Sequence, residues 1–192
     1  MLSSSTVRDN DGSDATELIG EIEDAFDIPI PNKVASTLET PGMVFDYLLE
    51  AGLHSMPRGP GLSQAIFNRL RRAVLAEFQV ERQEVKPKTL ITQLIPQFRV
   101  RARRLRLFQR LSLRRPPPII TGLHWLRRNF GTFGSLTSDL LAWNYGPLAE
   151  EAGSWNPKEA WDCLRLMIAY QTGLKVEKIT RNAHFVRDLH ID

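Results

Sequence analysis

The chain reads as a succession of amphipathic helices. Leu18, Ile22 and Phe26 recur every four residues and form one apolar stripe. Asp14, with Glu17 three residues on, makes a capping-box start, and Pro29 and Pro31 stop the helix. A second helix is predicted from about Pro41 to Ala51, with Val44, Tyr47 and Leu48 inward. Residues 52–62, GLHSMPRGPGL, carry the Gly and Pro clusters of a linker. Ser63 is placed to cap a third helix, in which Phe67, Leu70, Val74 and Phe78 share a face. Residues 98–113 form a basic amphipathic helix that ends at Pro116-Pro117-Pro118. Asn156 as N-cap and Pro157 at the first helical position open the last long helix, lined by Trp161, Leu164 and Ile168. Residues 122–153 show no clear period. The predicted class is all-α.

The organisation that follows is a disordered tail over 1–13, a helical segment over 14–52 and a linker over 53–62. A helix and loop over 63–97, a basic and aromatic middle over 98–155, and a second helix and loop over 156–192 complete it. The two helix-and-loop segments echo each other. A shift of 94 positions pairs Leu70 with Leu164, Val74 with Ile168 and Val85 with Ile179, and also Ile91 with Phe185 and Ile95 with Leu189.

Composition narrows the class. The single cysteine, Cys163, excludes an intrachain disulfide, so the chain fits a reducing compartment. No apolar run approaches the roughly 20 residues of a membrane span, and the polar, acidic start is unlike a secretory signal. The expectation is a soluble, cytoplasmic chain. Its charge is segregated: residues 1–55 hold 11 acids and 2 bases, whereas residues 85–138 hold 12 bases and no acid. Blocks of opposite sign meet each other or seek charged partners.

Residues 14–51 carry Glu17-Leu18, an acidic helix from Glu21 to Phe26, Ile28 to Pro31, Thr40, and Asp46-Tyr47-Leu48. This run resembles the second half of an acyl carrier protein. Residues 161–192, ending KVEKITRNAHFVRDLHID, resemble that fold's first helix and long loop, and residues 67–96 are a looser copy of the same half. The resemblance implies a circularly permuted acyl-carrier-like bundle, with an additional basic, aromatic-rich helical region. Either residues 63–78 or residues 157–172 would supply its first helix, in the same chain or in a swapped homodimer.

Acyl carriers attach phosphopantetheine to the serine of an Asp-Ser-Leu motif. That position falls on Gly12, which has no hydroxyl. Ser13 is one residue out of register, and Gly134-Ser135-Leu136 is a second partial match that lacks the aspartate. The expectation is no prosthetic group, with Ser13 and then Ser135 the serines to which phosphopantetheine would attach. The resemblance further implies that Glu17, Glu21, Glu23 and Asp24 meet enzymes of fatty-acid, lipid or polyketide metabolism.

The residues themselves offer little catalysis. There is no phosphate-binding loop, nucleophile elbow or dinucleotide fingerprint. His190, Asp188 and Asp192 lie close together but at a chain end, and no metal site is expected. The strongest remaining signal is Arg99, Arg101, Arg103, Arg104, Arg106 and Arg110, with Arg114 and Arg115 beyond. These arginines suit docking on the acidic half, in this chain or in a partner. An anionic membrane, inner surface included, is the alternative. Nucleic acid is disfavoured, because aromatics do not interleave the charges. The expected function is a non-enzymatic carrier-like or adaptor protein; the alternative is a peripheral membrane-binding module.

Overall fold

The computed structural model describes residues 13–117 and 131–191. Residues 1–12 of the predicted tail, and Trp125 and Phe130 of the aromatic middle, lie outside them; Ser13, the last residue assigned to that tail, is helical instead. The protein is all-α. Among the described residues there is no strand, only two isolated bridges, Arg58–Trp155 and Leu90–Thr132.

The N-terminal elements are α1 (Ser13–Phe26), α2 (Asn32–Ala35) and α3 (Pro41–Ala51). Because α1 begins at Ser13, Asp14 sits in its first turn, where a negative charge suits the positive end of the helix dipole. Leu18, Ile22 and Phe26 are all buried, as their spacing requires. Thr40 caps α3 by accepting from the Met43 amide at 3.3 Å, and Pro41 takes the first position. Helix α4 (Ser63–Phe78) differs from expectation at its start. Ser63 is its first residue, not its cap. The Leu62 and Ser63 amides instead donate to the Glu159 carboxylate at 2.6 and 2.9 Å. A residue nearly a hundred positions away thus satisfies amides that the local sequence leaves open.

The basic helix is shorter than its pattern. After α5 (Ile91–Leu94), a 3-10 turn over Pro96–Arg99 turns Phe98 into the core, and α6 (Arg101–Leu111) follows. The stretch without a clear period holds α7 (Phe133–Ala142) and α8 (Tyr145–Ala152). Thr132 and Ser135 form a capping box at the start of α7. Asn156 and Pro157 open α9 (Pro157–Thr172), and α10 (Phe185–Leu189) is the last helix.

The two helices that echo each other in sequence have different neighbours. Helix α9 packs on α1 and α3, whereas α4 packs on α6 and α7. The chain therefore holds two three-helix units, α1–α3–α9 and α4–α6–α7. They share a core, because α9 also packs on α7. The echo seen in sequence is a repeat of contacts. Arg71 Nε donates to the Val85 carbonyl at 3.1 Å, and Arg165 Nε to that of Ile179 at 2.8 Å. The Ile91 amide donates to Gly131 at 3.1 Å, and the Phe185 amide to Glu39 at 2.9 Å. The Gly134 amide donates to Pro87 at 2.8 Å, and the Gly42 amide to Arg181 at 3.0 Å. At both glycines a Cβ would crowd the accepting carbonyl, at 2.9 and 2.6 Å respectively, so the loop seats directly on helix backbone.

The two connections between the units are fastened together. The amide of Trp155 donates to Pro57 at 3.1 Å, and the amide of Gly59 to Trp155 at 2.8 Å. The Trp155 indole donates to Met56 at 3.1 Å. The Gly/Pro stretch read as a linker is thus a fixed strap.

Candidate functional site

Helices α1 and α6 occupy matching places in the two units, each packed on the long helix that precedes a loop. Their charges are opposite. Helix α1 carries Asp14, Glu17, Glu21, Glu23 and Asp24 and no base, while α6 carries five arginines and no acid.

The acidic side is partly engaged within the fold. Glu17 is exposed and accepts from the Gln171 side-chain amide at 3.5 Å. Glu23 turns back to accept from the Ile30 amide at 2.6 Å, which fixes the chain as it leaves α1. Asp24 pairs with Arg115, and Asp27 with Arg114 at 3.0 Å. Glu21 is half-buried. Burial raises its carboxyl above the usual range; Glu17 and then Asp24 add to this, and Arg115 opposes it. Of the four residues expected to meet a partner, Glu17 and Asp24 are at the surface, and Glu21 and Glu23 are drawn inward.

Because the folded state raises the Glu21 pKa, folding favours its protonated form. That contribution is complete below about pH 4.5 and is lost as pH rises through the higher folded value. Glu21→Gln should therefore raise the melting temperature at pH 7. It should leave the melting temperature unchanged near pH 4. Thermal melts at the two pH values check both statements.

The basic side is organised by a residue the sequence reading passed over. Glu77, the one acid of α4, receives Arg106 Nε at 2.9 Å, Arg110 Nε at 3.1 Å and Arg103 Nη1 at 3.2 Å. Its side chain is only 4% exposed. Arg106, then Arg110 and Arg103 hold its carboxyl down to about 2 against the opposing effect of desolvation. The signal was available: a lone carboxylate flanking the apolar stripe of α4, opposite a segment with 12 bases and no acid. A lowered folded pKa contributes stability above about pH 4.5, lost as pH falls through about 2. Glu77→Gln should lower the melting temperature at neutral pH and flatten its decline between those two values.

Arg104 is completely buried and donates Nη1 to the Phe98 carbonyl at 3.1 Å. It therefore lines no outer surface, contrary to its expected role as an anion contact. The apolar residues of α6 are committed too: Leu107 and Leu111 are buried, and Leu105 and Phe108 pack on the core. Arg101, Arg103, Arg106 and Arg110 remain at the surface. Arg99 ends the preceding turn.

Of the attachment candidates, Gly12 lies outside the described residues, and Ser13 is the first residue of α1. The Ser135 hydroxyl accepts from the Thr132 amide at 2.9 Å and donates to the Thr132 carbonyl at 2.8 Å. Cys163 is buried, and burial pushes its thiol well above the usual range, which removes it as a nucleophile. Among the described residues, no group of three His, Cys, Asp or Glu could hold a metal ion. No helix there is long and apolar enough to cross a membrane. A groove of about 420 Å³ runs between α1 and α2, lined by Ala15, Ile19, Gly20 and Ala35 among others. The arrangement can bind charged surfaces. No protein-family model, curated protein or solved structure matches this chain.

Proposed function

We propose that this chain is an acyl-carrier-like adaptor that binds enzymes of fatty-acid, lipid or polyketide metabolism and performs no chemistry of its own. The observation that carries the reading is the seating of residues 181–185 on residues 39–42. The Gly42 amide donates to Arg181 and the Phe185 amide to Glu39. The segments that resemble the first and second halves of a carrier thereby meet in one unit, despite their reversed order in the chain. Glu17 and Asp24 are the surface carboxylates from which a partner contact would be built.

Binding of the whole protein to a β-ketoacyl synthase, followed by calorimetry, tests the reading. Binding that Glu17→Lys weakens would support it, and no binding to lipid or polyketide enzymes would sink it. A second arm treats the protein with a broad-specificity phosphopantetheinyl transferase and coenzyme A. An unchanged intact mass is expected. The gain of one phosphopantetheine would make the chain a working carrier, with Ser13 or Ser135 as its attachment point. The membrane alternative is weakened because the large apolar residues of α6, which an interfacial helix would insert, are buried (Leu107, Leu111) or packed against the core (Leu105, Phe108).

A further inference from the structure

We propose that the outer face of α6 is a second docking surface, and that it takes an acidic helix of a partner protein. The inference goes beyond the adaptor reading. It rests on the geometry and charge of α6, not on resemblance.

Helical spacing places Ala102 and Gln109 together on the outermost arc, with Arg101 on one flank and Arg106 and Arg110 on the other. All five are exposed. The centre is uncharged, so another helix can approach with Arg101 on one side and Arg106 and Arg110 on the other. The inner flank already shows what these groups accept. A single carboxylate, Glu77, sits among Arg103, Arg106 and Arg110, each giving it one nitrogen. Arg106 and Arg110 use Nε for this, and both side chains remain 49% exposed. Neither bond occupies an Nη group, and a guanidinium carries further N–H donors that can fork onto another carboxylate.

Local rules are broken here in a way that an acidic partner repairs. The N-cap of α6, Val100, offers no side-chain acceptor, and the first turn contains no acid. Arg101, Arg103 and Arg104 instead crowd that turn, against the positive end of the helix dipole. The equivalent helix α1 has Asp14 in its first turn. Arg103 and Arg104 find partners inside the fold, in Glu77 and the Phe98 carbonyl, whereas Arg101 stands exposed at the start of the helix. Breaches of local consistency concentrate at functional positions. A partner carboxylate near Arg101 would offset both the dipole and the crowded cations. Two other occupants fit less well. A membrane would need apolar side chains that are instead buried or packed on the core, and single-stranded nucleic acid would need exposed aromatics. Phe98 is buried and Phe108 packs on the core.

The test is fluorescence anisotropy of the full chain with two labelled helical peptides of equal composition. One carries its glutamates along a single face, and the other carries them all round. The one-face peptide should bind more tightly, and binding should weaken as salt rises from about 50 to about 200 mM. Arg101→Glu and Gln109→Glu, which leave the Glu77 cluster intact, should each weaken it about fivefold or more. Glu77→Gln, which frees three guanidinium groups, should tighten it. Equal binding of the two peptides, or indifference to both Arg101→Glu and Gln109→Glu, would overturn the proposal. So would preferential binding to phosphatidylserine vesicles or single-stranded RNA, or low-salt self-association without peptide binding.

Discussion

Alanine at Gly146 destabilises the protein by about 3 kcal/mol or more, the upper range for forced overpacking. Gly146 lies in the first turn of α8, where that helix abuts the end of α1. A Cβ built there falls on the carbonyl of Phe26, well inside van der Waals contact, and 2.9 Å from the Asp27 amide nitrogen. All the obstructing atoms are backbone, so no side chain can rotate away. Relief requires α8 to retreat from α1. That would pull apart the Phe26 and Tyr145 rings, whose centroids are 5.5 Å apart. It would also strain the hydroxyl of Tyr145, which donates to the Asn156 carbonyl and accepts from its amide, both at 2.9 Å. Gly20→Ala is the control. A Cβ at Gly20 meets nothing within 4 Å, and the site is inside a helix. It should gain roughly 0.5–1 kcal/mol from the lower backbone entropy of alanine in the unfolded chain. Urea denaturation of the two variants beside the parent protein reads both effects. A Gly146→Ala protein as stable as the parent would refute the packing of α8 on α1.

Trp155→Ala removes the residue that ties the two units together, and it should cost about 3–5 kcal/mol, the range for a buried aromatic. Trp155 is 1% exposed. Its indole donates to the Met56 carbonyl, and its backbone exchanges hydrogen bonds with Pro57 and Gly59. The His54 ring meets it edge-on at 6.1 Å, and the Arg58 guanidinium lies 5.9 Å from its ring centre. Truncation leaves a cavity under the strap and an unpaired Met56 carbonyl. Trp155→Phe keeps most of the volume and loses the indole donor. It should cost only the missing hydrogen bond, about 1 kcal/mol. A loss confined to the Ala variant assigns the effect to packing. Equal losses assign it to the indole donor.

Much of the candidate site could be read in the sequence as charge, but not as contacts. The arginines of residues 99–115 and the acids of residues 14–24 were visible as opposed blocks. Their partners were not. Arg114 and Arg115 do reach the acidic segment, at Asp27 and Asp24. Arg103, Arg106 and Arg110 converge instead on Glu77, a single acid in an otherwise ordinary amphipathic helix. The burial of Arg104 was equally hidden. Helical periodicity places it beside Leu107 and Leu111, yet an arginine on that face reads as solvated until its acceptor, the Phe98 carbonyl, is known.

What the sequence by itself determined is local. Thr40 before Pro41, Asn156 before Pro157, and the stripe of Leu18, Ile22 and Phe26 fixed helices in place, because caps and periodic faces act within a few residues. The repeat between residues 67–95 and 161–189 was legible for the same reason: each copy carries its own pattern. Only the tertiary structure decided which copy joins which helices. Helices α4 and α9 present apolar stripes of the same kind, so burial alone does not distinguish them. Both copies are seated by the same kind of close backbone contact. Gly42 admits the carbonyl of Arg181, and Gly134 that of Pro87. Glu159, on α9, reaches across to cap α4 and holds the two units in register. Such contacts depend on where distant segments come to rest, which no local pattern encodes.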